Sequence, residues 1–271
     1  MLPFSPGPVP TTDDELTDRL TSGLLTLLRP EDPARVQVSC TGAAAEHLGT
    51  MHIDLSGADL DPVAAEVPAA GGTPVTVDRL SLTADPVTVR GVRLRVRGEL
   101  PELPAAWTTD GAGILWLRPQ EHTPVAGSPG QVQVTAEVAD LEQAILDIGS
   151  PLLAERGLTL TSVRLQVDAD GSAVARVQVQ AQVRRGILSA TVDGRGTASV
   201  DESMVLTLSD LTVTSDNALM SMGLAVLGRR LQAWEGRQIH LGTHLVGALA
   251  VREVSVHSTA GEVSVAARVG Q

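Results

Sequence analysis

Hydrophobic and polar residues alternate along most of the chain. Segments with an apolar side chain at every second position are separated by Gly, Asp and Pro, a pattern that is typical of strands with one buried face. The chain is therefore predicted to consist mainly of β-strands. The predicted strands are 35–40, 50–55, 75–84, 86–100, 113–118, 131–138, 158–168, 172–185, 188–200, 204–215, 248–258 and 261–269.

One predicted strand, 86–100, changes its apolar face part of the way along. The apolar positions move from Val87 and Val89 to Val92 and Leu94, with Gly91 between them. A glycine at such a change of phase indicates a bulge or a sharp bend. The predicted sheet is therefore strongly curved.

Three segments have the period of an amphipathic helix. The first begins after Thr12, which caps it with Glu15 at the third helical position, and ends at Arg29 and Pro30. The second begins at Asp140. The third runs from about Asp216 to Trp234. The first helix carries a leucine stripe, formed by Leu16, Leu20, Leu24, Leu27 and Leu28.

The first two helices share an acidic start, a leucine stripe and a following hairpin. This similarity predicts one domain over 1–271 with two degenerate halves, 12–100 and 131–271. The halves are joined by 101–130, which is rich in Pro and Gly and is predicted to be a loop.

The third predicted helix contains the uncharged run "NALMSMGLAVLG", residues 217–228. This run is too short to cross a bilayer, which needs roughly 20 apolar residues. On a helical wheel its apolar side covers roughly 200°, whereas a single packing face needs about 100°. The helix therefore needs cover on more than one side. The preferred interpretation is that this helix belongs to the ordinary hydrophobic core, and the alternative is that it forms the wall of an apolar ligand site.

Composition narrows the range of partners. The chain has 271 residues, with no Tyr, one Phe and three Trp, so its core is aliphatic. Its net charge of −12 argues against a nucleic-acid surface.

Arg93, Arg95 and Arg97 alternate with apolar residues on one strand and so share a face. We interpret that face as a solvated outer surface, with contact to anionic head groups or to another acidic partner as the alternative.

The first residues show no signal peptide, because they lack a basic segment and an apolar segment. This predicts a cytoplasmic protein. A processed form of an exported protein would look the same, so the periplasm or the cell envelope stays open.

No arrangement of residues predicts catalysis, a cofactor or a metal site. Ser128 lies in "AGSPG", which does not match a nucleophile elbow. Cys40 ends an apolar strand face and is assigned to the core. His240 and His244 have a helical spacing but no third ligand nearby. The chain is predicted not to be an enzyme.

The order of the elements resembles a known family. It runs from the leucine helix to "ARVQVSC", "GTMHIDLSGADL" and "VDRLSLTADPVTVRGVRLRVRG", then to "VQVTAEVADLEQAIL", the long meander, the apolar helix and "VREVSVHSTAGEVSVAARV". This order is similar to that of the bacterial LmeA-like phospholipid-binding family of the tubular lipid-binding (TULIP) superfamily. The resemblance implies an α+β fold, in which a long, curved antiparallel sheet wraps around amphipathic helices and leaves an apolar groove for acyl chains.

The expected function is the non-enzymatic binding or carriage of a phospholipid or another acyl-chain ligand. The alternative is a fully packed structural or interaction protein without lipid, which forms a homodimer through strand edges. The arginines of 93–97 are the predicted head-group or membrane contact. The predicted walls of the groove are Leu16, Leu20, Leu24, Leu27, Leu219, Met220, Met222, Leu224, Leu227, Leu231 and Trp234.

Overall fold

A computed structural model gives the fold. It describes residues 1–44, 46–63, 71–120, 130–155, 157–169, 171–186, 188–201, 205–217, 235–236, 238–240 and 251–269.

The fold consists mostly of β-strands. Strands account for 61% of the described residues and helices for 16%, and these residues contain two α-helices. The prediction of an α+β fold, with a sheet wrapped around helices, is wrong, because the sheets are open and the helices few. The physical reason is visible in the helix α1, Asp13–Leu28, whose buried residues lie on one stripe. A helix that buries one stripe needs a sheet on only one side.

The chain divides into two compact units. The first comprises Met1–Val134, Leu241–Glu253 and Ala266–Gln271, and the second comprises Thr135–His240 and Val254–Val265. This division differs from the predicted halves 12–100 and 131–271, since the C-terminal residues contribute to both units.

The larger sheet has ten strands among the described residues, in the order β14-β15-β8-β6-β5-β3-β2, with β4 beside β5, β7 beside β6 and β1 beside β7. It is mixed, because β3 and β4 run parallel to β5. Its strands are β1 (Leu2–Phe4), β2 (Gln37–Thr41), β3 (His47–Asp54), β4 (Asp59–Leu60), β5 (Thr73–Val89), β6 (Val92–Thr109), β7 (Leu115–Pro119), β8 (Gly130–Glu137), β14 (Val251–Ser258) and β15 (Glu262–Val269).

The second sheet has five strands among the described residues, in the order β13-β12-β11-β10-β9, and all neighbouring strands in it are antiparallel. Helix α2, Val138–Ala154, packs against β9. The strands are β9 (Thr159–Asp168), β10 (Val174–Arg185), β11 (Leu188–Val200), β12 (Val205–Ser215) and β13 (Gln238–His240).

Strands β5 and β6 form one long hairpin. The change of direction predicted at Gly91 is present, but it is a turn between two strands and not a bulge within one. Arg90 and Gly91 both have a positive φ, 49° and 81°. This is the backbone conformation of a two-residue turn whose twist matches that of the flanking strands.

The hairpin changes its buried face at Glu102. Leu103 and Ala105 are buried at odd positions, whereas nearer the turn Gly98 is buried at an even one. Glu102 has a φ of 47°, which reverses the alternation without changing the register to β5. The predicted loop 101–130 is therefore in part strand, since β6 continues to Thr109 and β7 follows it.

Helix α1 begins and ends where the sequence predicts. Glu15 N–H donates to Thr12 Oγ1 at 3.3 Å, and Arg29 at the C-terminal cap has a φ of 46°. The buried guanidinium of Arg19 donates to the carbonyl oxygens of Ser5 and Pro8. These hydrogen bonds hold the N-terminal segment on the helix.

Gly23 lies where α1 crosses β1. A Cβ atom at this position would collide with the backbone of Pro3 and Phe4. Glycine therefore allows the helix and the strand to approach closely, which places Met1–Pro3 beside the last turn of α1.

The third predicted helix, from about Asp216 to Trp234, lies almost wholly outside the described residues. Of the helices that the structure describes, none is both long and apolar enough to cross a membrane.

Candidate functional site

An apolar cavity lies within the first unit, between α1, the N-terminal segment and the large sheet. Its volume is about 370 Å³. All of its lining residues are Met, Leu, Ile, Val, Pro or Gly. The size falls within the range of about 300–1,000 Å³ that is typical of small-molecule pockets.

The helix side of the cavity comes from the last two turns of α1. Leu24, Leu27 and Leu28 line it. Leu24 and Leu27 were predicted as groove walls, and the structure brings them together at this cavity. Leu16 and Leu20 are fully buried one to two turns earlier and do not belong to the lining, so they are part of the core.

The sheet side comes mainly from the long hairpin. Leu80 and Leu82 of β5 and Gly98 and Leu100 of β6 line the cavity, and they are cross-strand neighbours in the register. Leu80, Leu82 and Leu100 are only half-buried. These walls therefore remain partly accessible to solvent.

Gly98 leaves space in the middle of this wall. A Cβ atom there would be 3.6 Å from Leu82 and 3.8 Å from Val132, which are ordinary contact distances. Both neighbours also line the cavity. The absence of a side chain at Gly98 therefore contributes directly to the volume of the cavity.

A turn after β3 places Leu55 in the wall. Asp54 Oδ1 accepts a hydrogen bond of 2.8 Å from Ser56 N–H, and Ser56 Oγ accepts one of 3.0 Å from Asp85 N–H. The hydrogen bond from the Ser56 side chain is the main reason why the pKa of Asp54 is lowered from its usual value. The charged carboxylate thus fixes the turn that begins with Leu55.

The three predicted head-group arginines lie on the opposite face of β6. Arg93, Arg95 and Arg97 are at odd positions, whereas Gly98 and Leu100 of the cavity wall are at even positions before the change of face. Arg93 and Arg97 are exposed and Arg95 is half-buried. These side chains cannot reach a ligand inside the cavity, but they form a basic strip on the outside of its wall.

The outer face also carries a Ser–His pair for which the sequence contains no signal. His52 Nδ1 lies 2.8 Å from Ser81 Oγ, across the parallel pairing of β3 and β5. Ser81 stands between Leu80 and Leu82, so its side chain points away from the cavity. The pair is therefore not placed to act on a ligand within the cavity.

The other predicted wall residues lie outside the described residues. They are Leu219, Met220, Met222, Leu224, Leu227, Leu231 and Trp234.

The leucines of the hairpin were missed as site residues because their alternation predicts only a strand with one buried face. The signal that could have found them is Gly98, an interior strand glycine on that same face.

Comparison of the chain with protein-family models, with curated proteins and with solved structures found no match. The resemblance to the LmeA-like family therefore stays a prediction from the sequence.

Proposed function

We propose that the protein binds the acyl chain of a phospholipid or of another acyl-chain ligand in the cavity of the first unit, without catalysing a reaction. The observation that carries this proposal is a cavity of about 370 Å³ whose lining residues are all apolar. An apolar cavity of this kind selects for hydrocarbon, because it offers no side chain that could replace the hydration of a charged group.

The volume suits a single chain of medium length. An engineered apolar cavity of roughly 150 Å³ accepts benzene, with its six carbon atoms. By proportion, 370 Å³ holds about fifteen carbon atoms. A phospholipid would therefore leave its second chain or its head group outside the cavity.

Apolar burial supplies the driving force. Each methylene group removed from water contributes about 0.8 kcal/mol, so a chain of twelve carbons contributes on the order of 9 kcal/mol. The loss of translational and rotational freedom on association opposes this by several kcal/mol. The remaining roughly 4–5 kcal/mol corresponds to a Kd on the order of 0.2–1 mM.

The basic strip of Arg93, Arg95 and Arg97 supports a transient contact with an anionic membrane. It lies on the outside of the strand whose inner face lines the cavity. The chain carries a net charge of −12, so a cluster of three arginines forms a local region of positive charge on an acidic protein. Such a strip attracts anionic head groups over about one Debye length.

The alternative, a fully packed protein that dimerises through strand edges, has less support. Edge strand β2 uses Cys40 N–H to donate to Thr17 Oγ1 of α1 at 3.2 Å, and edge strand β9 uses Leu165 N–H to donate to Glu142 Oε1 of α2 at 2.7 Å. On β14, Val256 exchanges backbone hydrogen bonds with 171–172. At these positions the three edge strands are poor templates for another strand.

Native mass spectrometry with dodecanoic acid tests the proposal. The unaltered protein should take up about one molecule. Gly98→Leu should lose most of this uptake while keeping its thermal stability, because the new side chain fills the cavity and replaces the ligand contacts.

Gly194→Leu is the matched control. Gly194 is also an interior strand glycine with ordinary Cβ contacts, but it lies in β11 of the second unit. This variant should bind as the unaltered protein does. Equal uptake by both variants, or no uptake by the unaltered protein, would contradict the proposal.

A further inference from the structure

The cavity is buried at one end and accessible at the other. Leu103 of β6 and Leu117 of β7, which line one end, are 3% and 1% exposed. Leu82 of β5 and Val132 of β8, which line the other, are half-buried. We call the first the closed end and the second the open end of the cavity.

Strand β6 connects the two ends. Gly98 lies at the open end, because it pairs with Leu82 and a Cβ atom on it would contact Val132. Leu103 follows five residues later at the closed end. Both residues face the cavity because Glu102 reverses the alternation between them. At about 3.3 Å per residue, the two ends are about 17 Å apart.

Helix α1 shows the same gradient of burial. Leu24 is 5% exposed, whereas Leu27 and Leu28, one turn later, are half-buried. Leu24 lies towards the closed end, because its neighbour Gly23 meets β1, which pairs with β7. Burial therefore decreases in the same direction along the helix wall and the sheet wall.

The closed end adjoins a filled part of the core. Beyond Leu103 on the same face of β6 come Ala105 and Trp107, which are 1% and 3% exposed. Trp107 pairs with Leu117, and the ring of Phe4 packs edge-on against it with the centroids 4.9 Å apart. Protein cores are close-packed. A chain end that reaches Leu103 and Leu117 therefore has no space in front of it.

The distance between the ends limits the length of a bound chain. An extended hydrocarbon chain with bonds of about 1.5 Å and tetrahedral angles needs about fourteen carbon atoms to span about 17 Å. The volume of the cavity gives about fifteen carbon atoms. The two estimates rest on different properties of the cavity and agree.

Only the open end suits a polar head group. The residues that line the closed end are apolar, so a carboxylate there would lose its hydration without a replacement. At the open end it stays in water. The basic strip, Arg93, Arg95 and Arg97, directly precedes Gly98 on β6 and so lies towards the open end. A head group at this end is close to the surface that is proposed to contact a membrane.

We propose that the cavity holds an acyl chain with its methyl end at Leu103 and Leu117 and its polar end near Leu82 and Val132, and that this closed end limits the chain to about fourteen carbon atoms. This inference rests on the proposed function. It makes Leu103 and Leu117 the residues that determine chain-length specificity. The ligand is a fatty acid or one chain of a phospholipid, which share the same hydrocarbon.

The first test is a series of fatty acids with eight to eighteen carbons, measured by displacement of an apolar fluorescent dye. The affinity should rise about fourfold with each methylene group up to about fourteen carbons and then change less than twofold per group. A rise that continues unchanged to eighteen carbons overturns the inference. Lysophosphatidylcholines of the same chain lengths should show the same limit, and a limit that depends on the head group contradicts it.

The second test changes the closed end. Leu117→Ala removes three carbon atoms from it and should move the limit to longer chains, so that hexadecanoic acid binds about tenfold more tightly than to the unaltered protein. Leu115→Ala is the matched control. Leu115 is 4% exposed and lies two residues away on the same face of β7, but it does not line the cavity. Its variant should keep the original limit, and equal behaviour of the two variants contradicts the inference.

The orientation is tested on the unaltered protein by NMR, which keeps the inference testable if Leu117→Ala does not fold. Tetradecanoic acid labelled with ¹³C at its terminal methyl group should give nuclear Overhauser effects to the methyl groups of Leu103 and Leu117. The acid labelled at the carbon next to the carboxylate should give them to Leu82 and Val132. The reverse pattern, or contacts of both labels with both ends, overturns the orientation.

The outcomes separate the two proposals. Binding of fatty acids without a length limit and with the reverse pattern of Overhauser effects overturns this inference and leaves the proposed function standing. An absence of binding at every chain length, as fatty acid and as lysophospholipid, overturns both.

Discussion

Asp110 organises the connection between β6 and β7. Its carboxylate accepts hydrogen bonds of 2.9 Å from the backbone N–H groups of Ala112 and Ile114 and from Trp116 Nε1. The hydrogen bond from Trp116 is the main reason why the pKa of Asp110 is lowered from its usual value. One side chain therefore fixes both the turn and the indole that follows it.

The stability of the protein should depend on pH through Asp110. Its folded pKa is lowered, so its contribution is fully present above the unfolded pKa of about 4 and is lost as the pH falls through the lower folded pKa. Asp110→Ala should destabilise the protein at pH 7 by about 1 kcal/mol, a small value because solvent screens the group. Urea unfolding at pH 7 and at pH 3 measures this.

The difference between Asp110→Ala and the unaltered protein should shrink at pH 3. A difference that is equal at both values of pH would show that the charge of the carboxylate does not matter.

At the scale of elements, the sequence predicts strands well and the change of face in β6 poorly. Most predicted strands are present with shifts of a few residues, and α1 begins and ends as its capping residues indicate. The positive φ of Glu102 has no sequence signal, because glutamate seldom adopts this conformation. Pro101 and Pro104 suggest a loop, yet they lie within the paired strand β6.

The sequence likewise predicts only part of the candidate site. The leucine stripe of α1 predicts Leu24 and Leu27 as cavity walls, but Leu16 and Leu20 share that stripe and belong to the core. Helical periodicity predicts which side of a helix is buried. It does not predict whether the elements packed on that side leave a cavity, because this depends on residues distant in the sequence, such as Gly98.

The basic strip of β6 leads to a prediction about membranes. Replacing Arg93, Arg95 and Arg97 with Gln should reduce binding to vesicles that contain anionic lipid, by up to about a hundredfold, since each arginine near the surface contributes about 1 kcal/mol. Co-sedimentation with vesicles measures this. The binding of the unaltered protein should weaken strongly in 0.5 M salt.

The matched control replaces Arg164, Arg176 and Arg184 with Gln. These arginines are exposed on β9 and β10 of the second unit, and the change in net charge is the same. An equal loss in both triple variants would mean that the net charge of the protein, and not the strip, governs the contact.

At the scale of the whole molecule, the cavity lies entirely within the first of the two units. A ligand at a hundred times its Kd stabilises the state that binds it by about 2.7 kcal/mol. This stabilisation should act first on the elements that form the cavity.

Hydrogen–deuterium exchange with and without dodecanoic acid should therefore show a local effect. Amides of α1, β5 and β6 should exchange more slowly when the ligand is bound, by up to about a hundredfold. Amides of β10 and β11 in the second unit should change little. Protection that is equal in both units would place the ligand elsewhere or indicate that the chain unfolds as one cooperative body.

The change of face at Glu102 also restricts how the gene can vary in length. The pairing of β5 with β6 contains one irregularity, between Ala84 and Val87. Elsewhere in the two strands, a single-residue insertion or deletion would shift one half of the hairpin against the other and expose the leucines of one face. Natural variants of different length should therefore carry paired changes in the two strands, or place the change in the turn at Arg90 and Gly91, where neither face is affected. We therefore expect changes in the length of this hairpin mainly in its turn.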